Sequence, residues 1–186
     1  MLKEKIVLAS RSLRRHEILT AVGWEFEAIA ADINETRFTA EDAVSYVKRL
    51  ARTKAETIAE RFPDRLVIGA DTVVVIDSEI LGQPRDDDDA RRMLRLLSGK
   101  WHDVLTGVAL TRAGQVVVEH ETTRVRFSEM SAEEIDWYVA TSEPRGKAGA
   151  YGIQGSAALF IKEIQGDYFN VVGLPARLVF ELSRRI

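Results

Sequence analysis

"LVIGADTVVVI", Leu66 to Ile76, decides the fold class of this chain. Its run of β-branched residues reads as the strongest strand in the sequence. Upstream, Val44, Val47, Leu50, Ala51, Ala55 and Ile58 recur at helical spacing. They predict a long helix over about residues 40–61, opened by a capping box of Thr39 and Asp42. Downstream, 87–97 reads as a second amphipathic helix, with Asp86 to Asp89 supplying the acidic start that a helix N-terminus favours. A strand framed by helices places the chain in the α/β class.

The same reading extends to both ends. Residues 6–9 form a short buried strand, 14–22 a helix ending near Gly23, and 25–30 a second strand. Residues 102–111 and 115–127 flank "AG" and predict a long hairpin. Ser131 and Glu134 cap another helix. A glycine-rich loop follows, then a strand over 159–164 and a closing helix over 175–185. Crossovers together with hairpins require a mixed central sheet with flanking helices.

At 186 residues one domain, 1–186, is the simplest organisation. Hydrophobic residues at 46% and charged residues at 30% fit a globular enzyme and argue against disorder. The net charge of −3 speaks against sequence-independent nucleic-acid binding. There is no cysteine, which excludes thiol chemistry and suits a reducing compartment. No apolar run reaches membrane-spanning length, and no secretory h-region opens the chain. A cytoplasmic protein is the expectation.

Three stretches carry candidate chemistry. In "LASRSLRRHEIL", residues 8–19, a strand passes into a helix amid Ser10, Arg11, Ser12, Arg14 and Arg15. Free amides at a helix start favour an anion, hydroxyls donate to it, and arginine offers a planar fork matched to phosphate. Basic residues are the wrong sign for a helix N-terminus unless an anion sits there. A solvated basic face is the alternative. Asp71 lies inside an apolar strand, where an unpaired carboxylate is costly. It orients water, holds Mg²⁺ or acts as a base raised by burial; alternatively it is structural and satisfied by backbone amides. In "GKAGAYGIQG", residues 146–155, four glycines allow close approach to a ligand. There Lys147 supplies charge, while Gln154 supplies a donor and an acceptor on one side chain; a flexible surface loop is the alternative, which explains the interleaved Ala148, Ala150, Tyr151 and Ile153 less readily. Lys54 and Glu35 are further polar candidates, with an ordinary solvated side chain as the alternative for each. His16, His102 and His120 lack metal-ligand spacing, and there is no Walker A, dinucleotide-binding or nucleophile-elbow motif.

Taken in order, "LASRSLRR", "LARTKA", "GADTVV", "LGQPRD", "LSGKWHDVLTGV", "KAGAYGIQG" and "NVVGLP" resemble the Maf family of nucleoside triphosphate pyrophosphatases across residues 8–175. Each is weak alone; the ordered set is specific. The "GIQG" form looks like the branch acting on dTTP and UTP. The resemblance implies an α/β fold like that of inosine triphosphate pyrophosphatase, with two lobes around a nucleotide-binding cleft. It implies metal-assisted hydrolysis of a nucleoside triphosphate to monophosphate and pyrophosphate, with Mg²⁺ or Mn²⁺ on Asp71 and Glu35. Asp71 matches the catalytic acid–base, with Glu35 and Lys54 beside it. Arg14, Thr72 and Gln154 match specificity positions, and Ser10 and Arg15 match polar cleft residues. Arg14, Arg15 and Lys54 together with the metal would clamp the phosphates. Leu13 replaces the family's usual proline, and Gln83 replaces a lysine expected at the phosphates. A homodimer is compatible with the resemblance. The family's association with inhibition of septum formation supplies a second reading, a nucleotide-binding regulator of division with little or no turnover.

Overall fold

A computed structural model describes residues 5–186, and among them seven strands share one sheet in the order β2-β1-β3-β5-β6-β7, with β4 on β3. The strands are β1 (Ile6–Leu8), β2 (Phe26–Ala28), β3 (Val67–Ile76), β4 (Glu79–Leu81), β5 (Trp101–Arg112), β6 (Gln115–Phe127) and β7 (Ile161–Gln165). The longer helices are α1 (Leu13–Ala21), α2 (Ala43–Ala59), α3 (Asp87–Leu97) and α4 (Ala132–Ala140), followed by α5 (Tyr168–Val172) and α6 (Ala176–Ser183). Parallel pairing of β1 with β2 and β3, and antiparallel pairing of β3 with β4 and β6 with β7, make the sheet mixed, as the sequence predicts.

The chain divides into two compact units. The first holds the described residues up to Asp71, Thr106–Glu121 and Gly173–Ile186. In it Val7 of β1 pairs with Glu27 on one side and Val67 on the other. Val7, Ala9, Val67 and Ile58 of α2 form a buried cluster. Ala51 and Ala55 pack with Ala109, and these small side chains let α2 come very close to β3. A Cβ on Gly69 would stand only 2.7 Å from the Ala55 backbone nitrogen, so only glycine fits there. The helix begins three residues later than the sequence predicts. Asp42 is its N-cap and not the third residue of a capping box, since its carboxylate accepts from the Ser45 amide at 2.9 Å. Ala40 lies in the left-handed region at φ 59°, which breaks a helical start at that position.

The second unit comprises Thr72–Leu105 and Thr122–Val172. Here β3 turns back into β4 through Asp77 and Ser78, both at positive φ, the geometry of a tight hairpin turn. The sequence reading missed β4, since Glu79–Leu81 lies outside any apolar run or alternation of the kind that marks β1 and β2. Asp86 caps α3 by accepting from the Asp89 amide at 2.8 Å, and Asp87, Asp88 and Asp89 form its acidic first turn. The predicted capping box of Ser131 and Glu134 opens α4. Val74, Leu94, Leu97, Val125, Phe127, Tyr138 and Phe160 belong to the core of this unit. A turn of 3-10 helix over Ser156–Leu159 delays β7 to Ile161. Asn170 of the "NVVGLP" motif is fully buried, and its amide donates to the Val104 carbonyl and the Thr123 hydroxyl, docking α5.

Candidate active site

Asp71 stands at the end of the β3 segment that belongs to the first unit, and Lys54 lies on the buried face of α2. The close approach of α2 at Gly69 brings the two together: Lys54 Nζ lies 2.7 Å from Asp71 Oδ1. The same ammonium lies 2.7 Å from Glu35 Oε1, on the segment between β2 and α2. Lys54 and Asp71 are buried, whereas Glu35 is about half exposed at 52% of its side chain. Two carboxylates therefore meet one ammonium, each through one oxygen. Burial raises the Asp71 carboxyl above its usual range, against the opposing pull of Lys54 and Arg15. Such a carboxylate is a stronger base than a solvated aspartate.

Ser10 and Arg15 form the adjoining part. Arg15 is buried on α1, and its Nε donates to the Gly173 carbonyl at 2.8 Å while Nη1 donates to Ser10 Oγ at 3.1 Å. The Ser12 amide also donates to Ser10 Oγ. Burial lowers the Arg15 guanidinium, and the nearby Asp71 charge works against that shift. Arg14 is half-buried on the first turn of α1. Arg11 pairs with Asp32 at 2.9 Å on the exposed surface, where ion pairs contribute little. Ser12 stands at the N-cap of α1 without a side-chain cap bond, and that helix has no acid in its first turn.

The remaining candidates belong to the second unit. Thr72 follows Asp71 along β3 and is half-buried; Gln154 is exposed. Lys147 donates from its ammonium to the Glu143 carbonyl, a bond inside its own loop. Gln83, at the lysine position, is exposed beside Gly82, whose carbonyl accepts from Gly149 of the glycine-rich loop at 3.0 Å. Arg85 meets buried Asp89 at 3.2 Å. His102 is held by the Tyr151 hydroxyl at 2.8 Å, and burial drops its pKa to about 4.

Two residues that the sequence did not single out fasten the Glu35 segment. The Tyr46 hydroxyl donates to the Glu35 carbonyl at 2.8 Å. Arg49 grips Glu41 through Nε at 2.6 Å and Nη2 at 2.7 Å, donates to the Thr36 carbonyl, and lies 4.0 Å over the Phe38 ring. Both project from α2, one and two turns before Lys54. An arginine and a glutamate eight residues apart carry no motif, so only the folded segment reveals the grip.

Among the described residues, no group of three or more His, Cys, Asp or Glu is arranged to hold a metal ion. Asp71 and Glu35 still supply hard oxygen donors, each with one oxygen on the Lys54 ammonium that stands between them. That set fits Mg²⁺ or Mn²⁺, which bind through one or two carboxylates together with substrate phosphates and water.

The Maf-like protein family model matches residues 5–186. The chain belongs to the Maf family. It is 51% identical to a dTTP/UTP pyrophosphatase of Symbiobacterium thermophilum, covering 92% of this chain and 89% of that one. It is 49% identical to a dTTP/UTP pyrophosphatase of Bacillus cytotoxicus, covering 97% and 95%. A HAM1 protein from Coxiella burnetii shares the fold, with a TM-score of 0.52 at 16% identity over 97% of this chain and 98% of that one. The Maf motifs thus fall into two classes. "LASRSLRR", "LARTKA" and "GADTVV" supply the polar cluster of the first unit, while "NVVGLP" supplies the carbonyl that holds Arg15 and the amide that docks α5. No helix among the described residues is long and apolar enough to cross a membrane.

Proposed function

We propose that the protein hydrolyses dTTP and UTP to the nucleoside monophosphate and pyrophosphate, clearing nucleotides from the cytoplasmic pool. The observation that carries this reading is the buried Asp71 carboxylate, raised by burial and joined to Glu35 through the Lys54 ammonium. The names of relatives about half identical over nearly the full length support the substrate.

In this reading Asp71 takes the proton of a water that attacks the α-phosphorus. The new bond joins the water oxygen to the α-phosphorus, the bond to the bridging oxygen of the β-phosphate breaks, and pyrophosphate leaves with that electron pair. Lys54 keeps both carboxylates in place and offsets their charge. Glu35 and Asp71 would hold Mg²⁺ or Mn²⁺, which supplies charge neutralisation at the phosphates. Ser10 and Arg15 shape the site beside Asp71, and Arg14 contributes positive charge to the phosphates. Thr72 and Gln154 select the base: a carboxamide offers a donor to the 4-carbonyl and an acceptor to the ring N–H of uracil or thymine. The 5-methyl group is worth only about 1–3 kcal/mol in an apolar pocket, so both pyrimidines are substrates.

The test is turnover of UTP in ¹⁸O-water with Mg²⁺ or Mn²⁺, by wild type and Asp71→Asn. The expected products are labelled UMP and unlabelled pyrophosphate, with turnover nearly abolished in the variant. UDP with orthophosphate would refute the bond assignment. Tight nucleotide binding without turnover in either protein would leave the regulator of division as the reading. Sedimentation of the same preparation distinguishes a homodimer from a monomer.

A further inference from the structure

Gln154 is exposed, so the aim of its carboxamide depends on the backbone that carries it. The amides two residues before and two residues after it are held by one pair of side chains. The Gly152 amide donates to the Tyr138 hydroxyl oxygen at 3.2 Å, and the Ser156 amide donates to Glu143 Oε2 at 2.8 Å. The Tyr138 hydroxyl in turn donates to Glu143 Oε1 at 2.8 Å, so a single carboxylate closes the circuit. Between these anchors, the Gly155 amide donates to the Gly152 carbonyl at 3.1 Å and folds the chain into a turn with Gln154 in it.

Both partners are themselves fixed. Tyr138 is fully buried on α4, and its ring packs against Phe160. The Glu143 amide donates to Thr141 Oγ1, and the Lys147 ammonium donates to the Glu143 carbonyl. A Cβ on Gly155 would stand 2.5 Å from Glu143 Cδ, so the carboxylate fills the space that any other side chain there would need. Burial alone would raise the Glu143 carboxyl, but the Ser156 amide and the Tyr138 hydroxyl outweigh it and hold it below the usual range. It is ionised at neutral pH and accepts from both donors.

We propose that Glu143, with Tyr138, is a positioning residue that sets base selectivity by clamping the two amides that flank Gln154. The proposal rests on the reading that Gln154 meets the base. A carboxamide is nearly symmetric in shape, and exchanging its oxygen and nitrogen reverses donor and acceptor. A fixed carrier lets it favour the uracil edge. A loose carrier lets it turn and match cytosine, whose corresponding edge has the opposite polarity. Loss of the clamp should therefore erase discrimination before it erases hydrolysis, whose residues lie in the first unit.

The experiment measures kcat and KM for UTP, dTTP and CTP, with melting temperature, in wild type, Glu143→Gln, Tyr138→Phe, Gln154→Ala and the Glu143→Gln/Gln154→Ala double variant. Tyr138→Phe keeps the ring packing and removes only the hydroxyl, so it tests the clamp even if Glu143→Gln folds poorly. Each clamp variant is expected to lower the UTP-to-CTP ratio of kcat/KM about tenfold, less than the roughly 10²-fold that a full 1 Å misplacement can cost. The loss should fall mainly in KM for UTP. The double variant should show the same ratio as Gln154→Ala, since no carboxamide is left to aim. If the clamp variants slow all three nucleotides by a common factor while Gln154→Ala loses selectivity, the clamp is merely structural and the proposal fails alone. If Gln154→Ala keeps the wild-type ratio, the base-reading role of Gln154 fails and takes the proposal with it.

Discussion

Asp71 in the first unit and Asp89 in the second are both almost fully buried, at 9% and 6% exposure, yet their acidities move in opposite directions. Burial raises Asp71, where the ammonium of Lys54 only partly compensates. Asp89 accepts from the Arg85 amide and the Arg85 and Arg92 guanidinium groups. Together these overcome burial and hold its pKa at about 2. The lesson lies in the number of donors. An aspartate saturated with hydrogen bonds is a structural joint, here tying the start of α3. One with an ammonium on a single oxygen keeps a lone pair for chemistry.

The comparison breaks most directly at the two carboxylates themselves. Asp71→Asn should slow pyrophosphate release by about 10²- to 10⁴-fold, the scale of lost general-base catalysis. Its melting temperature should hold or rise, because the amide escapes the desolvation that the carboxylate suffers and Lys54 retains Glu35. Asp89→Asn should do the reverse, lowering the melting temperature by several degrees with turnover on UTP near wild type. Steady-state kinetics and calorimetry on the pair decide it. Loss of stability in the first and of activity in the second would invert the assignment.

A pH series sharpens the same contrast. Asp71 must be deprotonated both to act as a base and to hold the metal, so kcat should rise with pH along an acid limb. Lys54→Gln removes the strongest group favouring the charged form and should move that acid limb to higher pH. His102 provides the control in the second unit. Its folded pKa of about 4 lies below the unfolded 6.5, so the unfolded chain takes up the proton first. Its contribution is therefore full above about pH 6.5 and lost as pH falls toward 4, roughly 3 kcal/mol in all. Denaturant unfolding of wild type and His102→Gln should show that slope in wild type only.

The smallest effect is expected at Gln83. Arg85 is engaged with Asp89 and its side chain is 81% exposed, which makes it a poor substitute for the missing lysine. Gln83→Lys should therefore lower KM for UTP a few-fold, and Arg85→Ala should leave kcat nearly unchanged. An Arg85→Ala variant rescued in activity by Gln83→Lys would show instead that Arg85 reaches the phosphates.

Much of this was legible in the sequence, and the spacing of α2 shows how. Val47, Leu50, Ala51, Ala55 and Ile58 mark its buried face, and Lys54 falls seven residues after Val47 on that same face. A lysine there must find a carboxylate, and the charge inside β3 is the partner that burial requires. Arg15 shares its buried face with Ile18 and Leu19 in the same manner. Glu35 lies in a segment without period, so only the family motifs pointed to it, and nothing local pointed to Arg49 or Tyr46. In the stretch 8–19 the fold decided the partners of Arg11 and Arg15. Arg11 turned to Asp32, and Arg15 turned inward to Gly173, a residue 158 positions away.

Periodicity, turn chemistry and motif order by themselves determined the α/β class, most of the elements, the Maf family and the placement of Asp71 inside an apolar strand, while the burial of Lys54 came only with the fold. Those properties depend on neighbours within a few turns of chain, where side-chain period and local propensity act. The tertiary structure alone decided which oxygen each cation meets, how Asp71 and Asp89 come to differ, and that Glu143 grips the backbone around Gln154. These depend on distances between groups far apart in the chain. Hydrogen bonding and desolvation change over fractions of an ångström, and no spacing in one dimension records that.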